Sequence, residues 1–100
     1  MPASLKQTQR TARLTEGADF GRRNAVFSYR DGRDSFWVVT PELGRSVLVT
    51  ALKAQTFVQL YRHEALTARG HGRVRLAQAE LKLGFWIGVR AVIRSYDRTH

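Results

Sequence analysis

The stretch from residue 73 to residue 96 constrains the fold most, because its 24 residues contain no Pro, Asn or Asp to turn the chain. Between residues 81 and 91, apolar side chains alternate with other types, which is typical of a β-strand. A strand is usually only about five or six residues long, however. A helix accommodates the length and places Leu81, Phe85 and Val89 in one stripe. We therefore predict a helix here, with β-strands as the alternative.

A second helix is predicted upstream, over about residues 41–69. Thr40, Pro41 and Glu42 form a typical helix start, because Thr can cap the first turn, Pro fits it and Glu suits the positive end of the helix dipole. Apolar residues then recur at helical spacing, and Gly70 is suited to end the helix. Three apolar residues interrupt its polar side near the start: Leu48, Val49 and Leu52. We expect another element to cover that end.

Residues 25–40 predict a β-hairpin. Two runs rich in aromatic and β-branched residues flank Asp31-Gly32, a pair that accepts the positive φ of a two-residue turn. A two-residue loop pairs Arg30 with Arg33, whereas a four-residue loop shifts the pairing by two positions. Both registers place the same four side chains on one face, which we expect to be the core side: Phe27, Tyr29, Phe36 and Val38.

The first 24 residues hold too few large apolar side chains to bury a face. Five basic and two acidic residues give this segment a net charge of +3. We predict a flexible basic arm over residues 1–24 and a single α+β domain over residues 25–100. The predicted fold is α+β, with a flexible arm, one β-hairpin and two long antiparallel helices. The alternative fold has a hairpin, one helix and C-terminal β-strands.

Catalytic and metal-binding motifs are missing from the sequence. His63-Glu64 begins like the zinc-protease pattern, but Thr67 stands where that pattern needs a second His. The chain has no cysteine, and its acidic residues are scattered beside basic ones. No apolar run approaches the roughly 20 residues that span a bilayer, and none resembles a secretory signal. We therefore predict a non-enzymatic, cytoplasmic protein without cofactor, metal or membrane attachment.

Positive charge is the strongest functional signal. The chain has 17 Lys and Arg residues, 14 of them Arg, against 8 acidic residues, and its net charge is +9. Arginine binds phosphate through two parallel hydrogen bonds, and surplus positive charge attracts polyanions over a long range. We predict a nucleic-acid-binding protein, a small DNA-binding regulator or accessory factor whose two-stranded hairpin fits the major groove. The predicted contacts are Arg10, Arg13, Arg22, Arg23, Arg30, Arg33, Arg73 and Arg75.

A basic ridge is also expected along the C-terminal helix, where residues that step by four share one side. Its members are Lys82, Trp86, Arg90, Arg94 and Arg98. An alternative explanation of the arginine content is the codon usage of a GC-rich genome, which enriches arginine regardless of function.

Gly84 and Gly88 lie one helical turn apart, a spacing that lets two helices approach closely. The C-terminal helix is also apolar around much of its circumference, so we predict a homodimer. The predicted dimer or partner interface consists of Gly84, Phe85, Trp86, Gly88, Val89 and Val92. In the alternative function, the protein is an interaction module (an inhibitor, adaptor or assembly factor) that presents Trp37, Trp86 and this apolar helix to an acidic protein partner.

Overall fold

The computed structural model describes residues 5–30, 33–40 and 44–99, with side chains for residues 7–29, 35–40 and 44–98. The elements in chain order are helix α1 (Leu5–Asn24), strands β1 (Ala25–Arg30), β2 (Arg33–Val39) and β3 (Ser46–Val49), and helices α2 (Ala51–Thr67) and α3 (Arg73–Thr99). The strands form one antiparallel sheet in the order β1-β2-β3. The α+β class is confirmed, but the N-terminal segment is a helix and not a flexible arm.

The predicted hairpin is present, and its register is the one that a two-residue loop requires. Arg30 pairs with Arg33, and Phe27 pairs with Phe36. The turn residues of the prediction, Asp31 and Gly32, lie outside the described residues. The structure thus decides between the two registers that the sequence left open.

The core face of the hairpin is buried at only one end. Phe36 and Val38 are buried, as expected, whereas Phe27 and Tyr29 are 41% and 67% exposed. The ring of Phe27 stacks on that of Tyr96 near the end of α3, with centroids 4.5 Å apart. Tyr29 lies closer to the turn. The helices thus cover the part of the hairpin that is remote from its tip.

A third strand, β3, occupies residues 46–49, which were predicted to belong to the helix. The expected start at Pro41 and Glu42 lies outside the described residues, and α2 begins only at Ala51. The preceding Ser-Val-Leu-Val run forms β3, because its apolar and β-branched residues fit a half-buried sheet surface. Thr50 then caps α2, its hydroxyl accepting a hydrogen bond of 3.1 Å from the Lys53 backbone N–H.

The C-terminal stretch is a helix over its full length, and the strand alternative is wrong. Helices α2 and α3 are joined by a short turn in which Gly70 has a φ of 85°, a conformation that favours glycine. Residues later in α2 contact residues earlier in α3. Phe57 stacks on Trp86 with ring centroids 4.3 Å apart, and Gln55 contacts Arg90. The two helices are therefore antiparallel, as predicted.

Helix α1 lies along α3, and glycines let the two backbones touch. A Cβ on Gly84 would collide with the carbonyl oxygen of Leu14, and one on Gly88 with that of Ala18. Because these contacts advance together along both chains, α1 and α3 are parallel. Two glycines of α1 approach α3 in the same way: Gly17 and Gly21. The expected close approach at Gly84 and Gly88 is thus made within the chain, by the segment that was expected to be flexible.

The core lies between one face of the sheet and the helices. Its main side chains are Phe36, Val38, Val49, Ala54, Val58, Tyr61, Leu83, Phe85, Trp86, Val89 and Ile93. None of the helices in the described part of the chain is long and apolar enough to cross a membrane. The other face of the sheet carries exposed apolar side chains: Val26, Val39 and Leu48.

Candidate anion-binding surface

Arg10 and Arg13, which were predicted to contact nucleic acid, pair instead with Glu80 of α3. The carboxylate Oε1 of Glu80 accepts hydrogen bonds of 2.9 Å from Arg13 Nε and 2.5 Å from Arg13 Nη2. Arg10 Nε lies 3.4 Å from Oε2. Glu80 is only 2% exposed, so its charge needs these donors. The two guanidinium groups therefore serve the α1–α3 interface, which reduces their capacity to bind phosphate.

The other predicted contacts in the N-terminal half are dispersed. Arg22 forms an ion pair with Asp19 on the surface of α1. Arg23 is exposed and lies beside the outer face of the sheet. Arg30 and Arg33 occupy paired positions at the end of the hairpin, but their side chains lie outside those the structure describes.

Arg73 and Arg75 lie in the first turn of α3, and both are exposed. This turn holds no acidic residue. Among the described side chains, no ion pair involves either arginine. The N-terminus of a helix carries a partial positive charge, and Arg73 and Arg75 add two full positive charges to it. This end of α3 therefore favours anions.

The residues predicted to form a dimer or partner interface lie inside the molecule. Gly84, Phe85, Trp86, Gly88 and Val89 are buried, and Val92 is half-buried. Their neighbours belong to the same chain: Phe20 of α1 approaches Phe85 with ring centroids 5.8 Å apart, and Phe57 of α2 stacks on Trp86. Helices α1 and α2 therefore already cover the apolar surface of α3 that led to the dimer prediction.

A group of arginines comes together on the opposite side of α3. Arg90 Nη1 and Arg94 Nη2 both donate to the side-chain oxygen Oε1 of Gln55, at 2.9 Å and 3.2 Å. Arg62 of α2 lies close enough for its charge to act on Arg90. One helical turn beyond Arg94, Arg98 continues the row. We call Arg62, Arg90, Arg94 and Arg98 the arginine surface.

The arginine surface lacks compensating negative charge at its centre. Burial lowers the pKa of Arg90 below the usual range of a guanidinium, and the positive charges of Arg94 and Arg62 lower it further. A neighbouring carboxylate would act in the opposite direction. Among the described side chains, no carboxylate forms an ion pair with these arginines. The site therefore has an unbalanced positive potential.

An open groove runs along α3 beside these arginines. Its lining residues are Ile87, Arg90, Ala91, Arg94, Asp97 and Arg98. Asp97 contributes one carboxylate to the groove, against three guanidinium groups. At 100° per residue, Arg94 lies about 160° around α3 from Tyr96, whose ring packs on the sheet. The groove therefore faces away from the sheet.

The chemistry of this surface suits anion binding rather than proton transfer. Guanidinium groups keep their proton at physiological pH and present several N–H donors in a plane. Such donors match the oxygens of phosphate and carboxylate. Within the described residues, no group of three His, Asp or Glu side chains is arranged to hold a metal ion.

The sequence predicted only the part of this surface that lies on α3. The spacing of four identified Arg90, Arg94 and Arg98 as one ridge on α3. Trp86, the aromatic member of the predicted ridge, is fully buried. Gln55 and Arg62 could not be assigned to this surface from the sequence, because they belong to another helix and no local pattern shows which residues of two helices meet.

Comparison with known protein families, with characterised protein sequences and with solved structures finds no match to this chain.

Proposed function

We propose that this protein binds nucleic acid without catalysing a reaction, and that the arginine surface of α2 and α3 holds the phosphate backbone. The observation that supports this function is that Arg90 and Arg94 both donate to the neutral amide of Gln55, beside the charge of Arg62. Among the described side chains, none of these three arginines has a carboxylate partner. A polyanion would supply the missing negative charge and release its own counterions on binding. A small DNA-binding regulator or accessory factor remains the specific form of the proposal.

Other arginines contribute to this proposal to different degrees. Arg73 and Arg75 are exposed and unopposed in their turn, so they remain proposed phosphate contacts. Insertion of Arg30 and Arg33 into a major groove also remains a proposal. Arg10, Arg13 and Arg22 contribute less, because each has a carboxylate partner in the described part of the chain.

The experiment is a fluorescence-anisotropy titration of a random DNA duplex across a series of salt concentrations. We expect a dissociation constant at or below about 100 μM near physiological salt, rising steeply as salt is added. Arg94→Gln should weaken binding about fivefold or more and reduce the salt slope by about one. The matched control is Arg45→Gln, which removes one exposed charge from the loop before β3.

Two outcomes would overturn the proposal. In the first, the duplex fails to bind at millimolar protein concentration in low salt. In the second, Arg94→Gln and Arg45→Gln weaken binding equally, because net charge alone, and not the arginine surface, would then account for the affinity. A single-stranded RNA of the same length, titrated in parallel, distinguishes a preference for DNA from one for RNA.

A second candidate function is recognition of an acidic protein segment by the outer face of the sheet. Val26 on this face is 59% exposed, and Val39 and Leu48 are also exposed beside the half-buried Trp37. Exposed apolar groups of this kind mark interaction sites when they are contiguous. Arg23 borders the patch, and the net charge of +9 favours a negatively charged occupant.

Tryptophan emission tests this second function directly. A peptide of alternating Leu and Glu should produce a saturable change in emission, because Trp37 lies on the patch whereas Trp86 is buried. The change should disappear in Trp37→Phe. If the emission stays constant, or if the change persists in Trp37→Phe, the sheet face does not bind such a segment.

A further inference from the structure

Two arginine pairs in this molecule are held by chemically different side chains. Glu80 holds Arg10 and Arg13, and its carboxylate cancels one of their two charges. Gln55 holds Arg90 and Arg94 through a single oxygen, and its amide cancels none. One arginine pair therefore has a carboxylate as its counterion, whereas the other pair is held by a neutral side chain.

Gln55 performs two structural tasks at the second pair. Its Oε1 accepts one hydrogen bond from each guanidinium, which restrains two long side chains of α3 from a position on α2. Because these two side chains are already restrained, they lose less conformational entropy when a ligand binds. The side-chain amide of Gln55 also has N–H donors of its own, so the residue offers a further contact to an anion.

The charge around Gln55 favours an oxyanion. Arg90 and Arg94 donate to its oxygen, and the charge of Arg62 acts on Arg90. Arg98 and Asp97 add one positive and one negative charge to the same groove. The guanidinium groups of Arg90 and Arg94 each use one described N–H donor on Gln55 and have further N–H groups. A tetrahedral phosphate accepts such donors from several directions at once.

We propose that Gln55, Arg90 and Arg94 form a discrete site for one phosphate group, that the charge of Arg62 adds to its positive potential, and that Gln55 is its positioning residue. The inference rests on the proposed nucleic-acid function and specifies the chemistry of its central contact. The ligand is a phosphate oxyanion, whether it belongs to a phosphodiester backbone or to a free phosphate or phosphomonoester. A neutral amide at position 55 is the requirement, because a carboxylate there would occupy the arginines itself.

The decisive variant is Gln55→Glu, compared with Gln55→Ala and with the control Gln78→Glu. Gln78 is exposed on α3, about 18 Å along the helix from Arg90, and this separation exceeds the Debye length of about 10 Å at 0.1 M salt. Both Glu variants lower the net charge by one, so they differ only in position. Inorganic phosphate is titrated calorimetrically into each full-length protein at constant ionic strength with chloride as the reference anion.

We expect Gln55→Glu to weaken phosphate binding about tenfold, Gln55→Ala to weaken it about threefold, and Gln78→Glu to change it less than twofold. Stability should follow a different order, because the new carboxylate pairs with the arginines: the melting temperature should rise in Gln55→Glu and fall slightly in Gln55→Ala. A residue with a purely structural role would change stability and binding in the same direction.

Equal phosphate affinity in Gln55→Glu and Gln78→Glu would overturn the inference. A titration with a 20-nucleotide single strand separates this failure from failure of the proposed function. If the strand binds Gln55→Glu as tightly as the unmodified protein, the nucleic-acid function stands and the discrete site is wrong. If inorganic phosphate binds as expected but no nucleic acid does, the site stands and the ligand is a free phosphate or phosphomonoester.

Discussion

Glu80 joins α3 to α1 through its ion pairs with Arg10 and Arg13. A carboxylate that is almost fully buried is unfavourable unless donors replace the lost water, and Arg13 supplies two of them. Arg13 itself is partly exposed, with a relative side-chain accessibility of 26%. Solvent therefore screens the pair on one side, which limits the strength of the attraction.

We expect Glu80→Gln to lower the free energy of unfolding by about 1–3 kcal/mol. The substitution keeps the shape of the side chain but removes the charge that holds Arg13 and Arg10. Urea denaturation followed by circular dichroism measures the change. The control is Glu64→Gln on the exposed side of α2, which should alter stability by less than about 0.5 kcal/mol. Equal stability in the two variants would show that the Glu80 ion pairs contribute nothing measurable.

At the scale of the elements, the α1–α3 pair is held by backbone contact more than by large side chains. Glycines on both helices remove the Cβ atoms that would otherwise keep the backbones apart. Close approach then brings many atoms within van der Waals distance, although few of them belong to large apolar groups. This arrangement explains how a segment with little hydrophobic material can still form a packed helix.

Gly88→Ala tests this arrangement, because its Cβ would meet the backbone of Ala18, which cannot move aside easily. In an exposed helix the same change would stabilise the protein by about 1 kcal/mol through helix propensity. Here we expect a loss of about 1–3 kcal/mol from overpacking. Thermal unfolding measures it, with Thr15→Leu on the exposed side of α1 as the control for added volume. A stabilised Gly88→Ala protein would contradict the close contact.

At the scale of the whole molecule, positive charge is unevenly neutralised. Arg10, Arg13 and Arg22 have acidic partners, whereas Arg90 and Arg94 share a neutral amide. The molecule is also elongated, with a radius of gyration of 14.6 Å, compared with about 13 Å for a compact domain of this length. An elongated shape leaves more surface over which a net charge of +9 is spread.

Self-repulsion of this charge should make stability depend on salt. We expect the melting temperature to rise by a few degrees, on the order of 3 °C, as sodium chloride increases from about 20 mM to about 200 mM. Screening of the repulsion among uncompensated arginines is the cause. Differential scanning calorimetry provides the measurement. A falling melting temperature would mean that attractive ion pairs outweigh the repulsion within the folded protein.

Local features of the sequence determined the β-hairpin and helix α3. Asp31-Gly32 between two alternating runs indicates the hairpin, whereas the choice between its two possible registers came from the structure. An unbroken run of 24 residues excludes a single ordinary strand. Both features are encoded within short stretches, so they are readable without knowledge of the rest of the fold. The row of arginines on α3 is readable for the same reason.

Only the tertiary structure decided the state of α1, the strand β3 and the composition of the arginine surface. Helix α1 is stabilised by glycine contacts with a helix about 70 positions later in the chain, and such contacts leave no hydrophobic periodicity. Strand β3 is short, and it is a strand because β2 lies beside it. Gln55 meets Arg90 and Arg94 because α2 and α3 pack antiparallel at one register. In each case the interaction that determines the structure joins residues that are distant in sequence. The local conformational preferences of these segments are weak, so tertiary packing determines their structure.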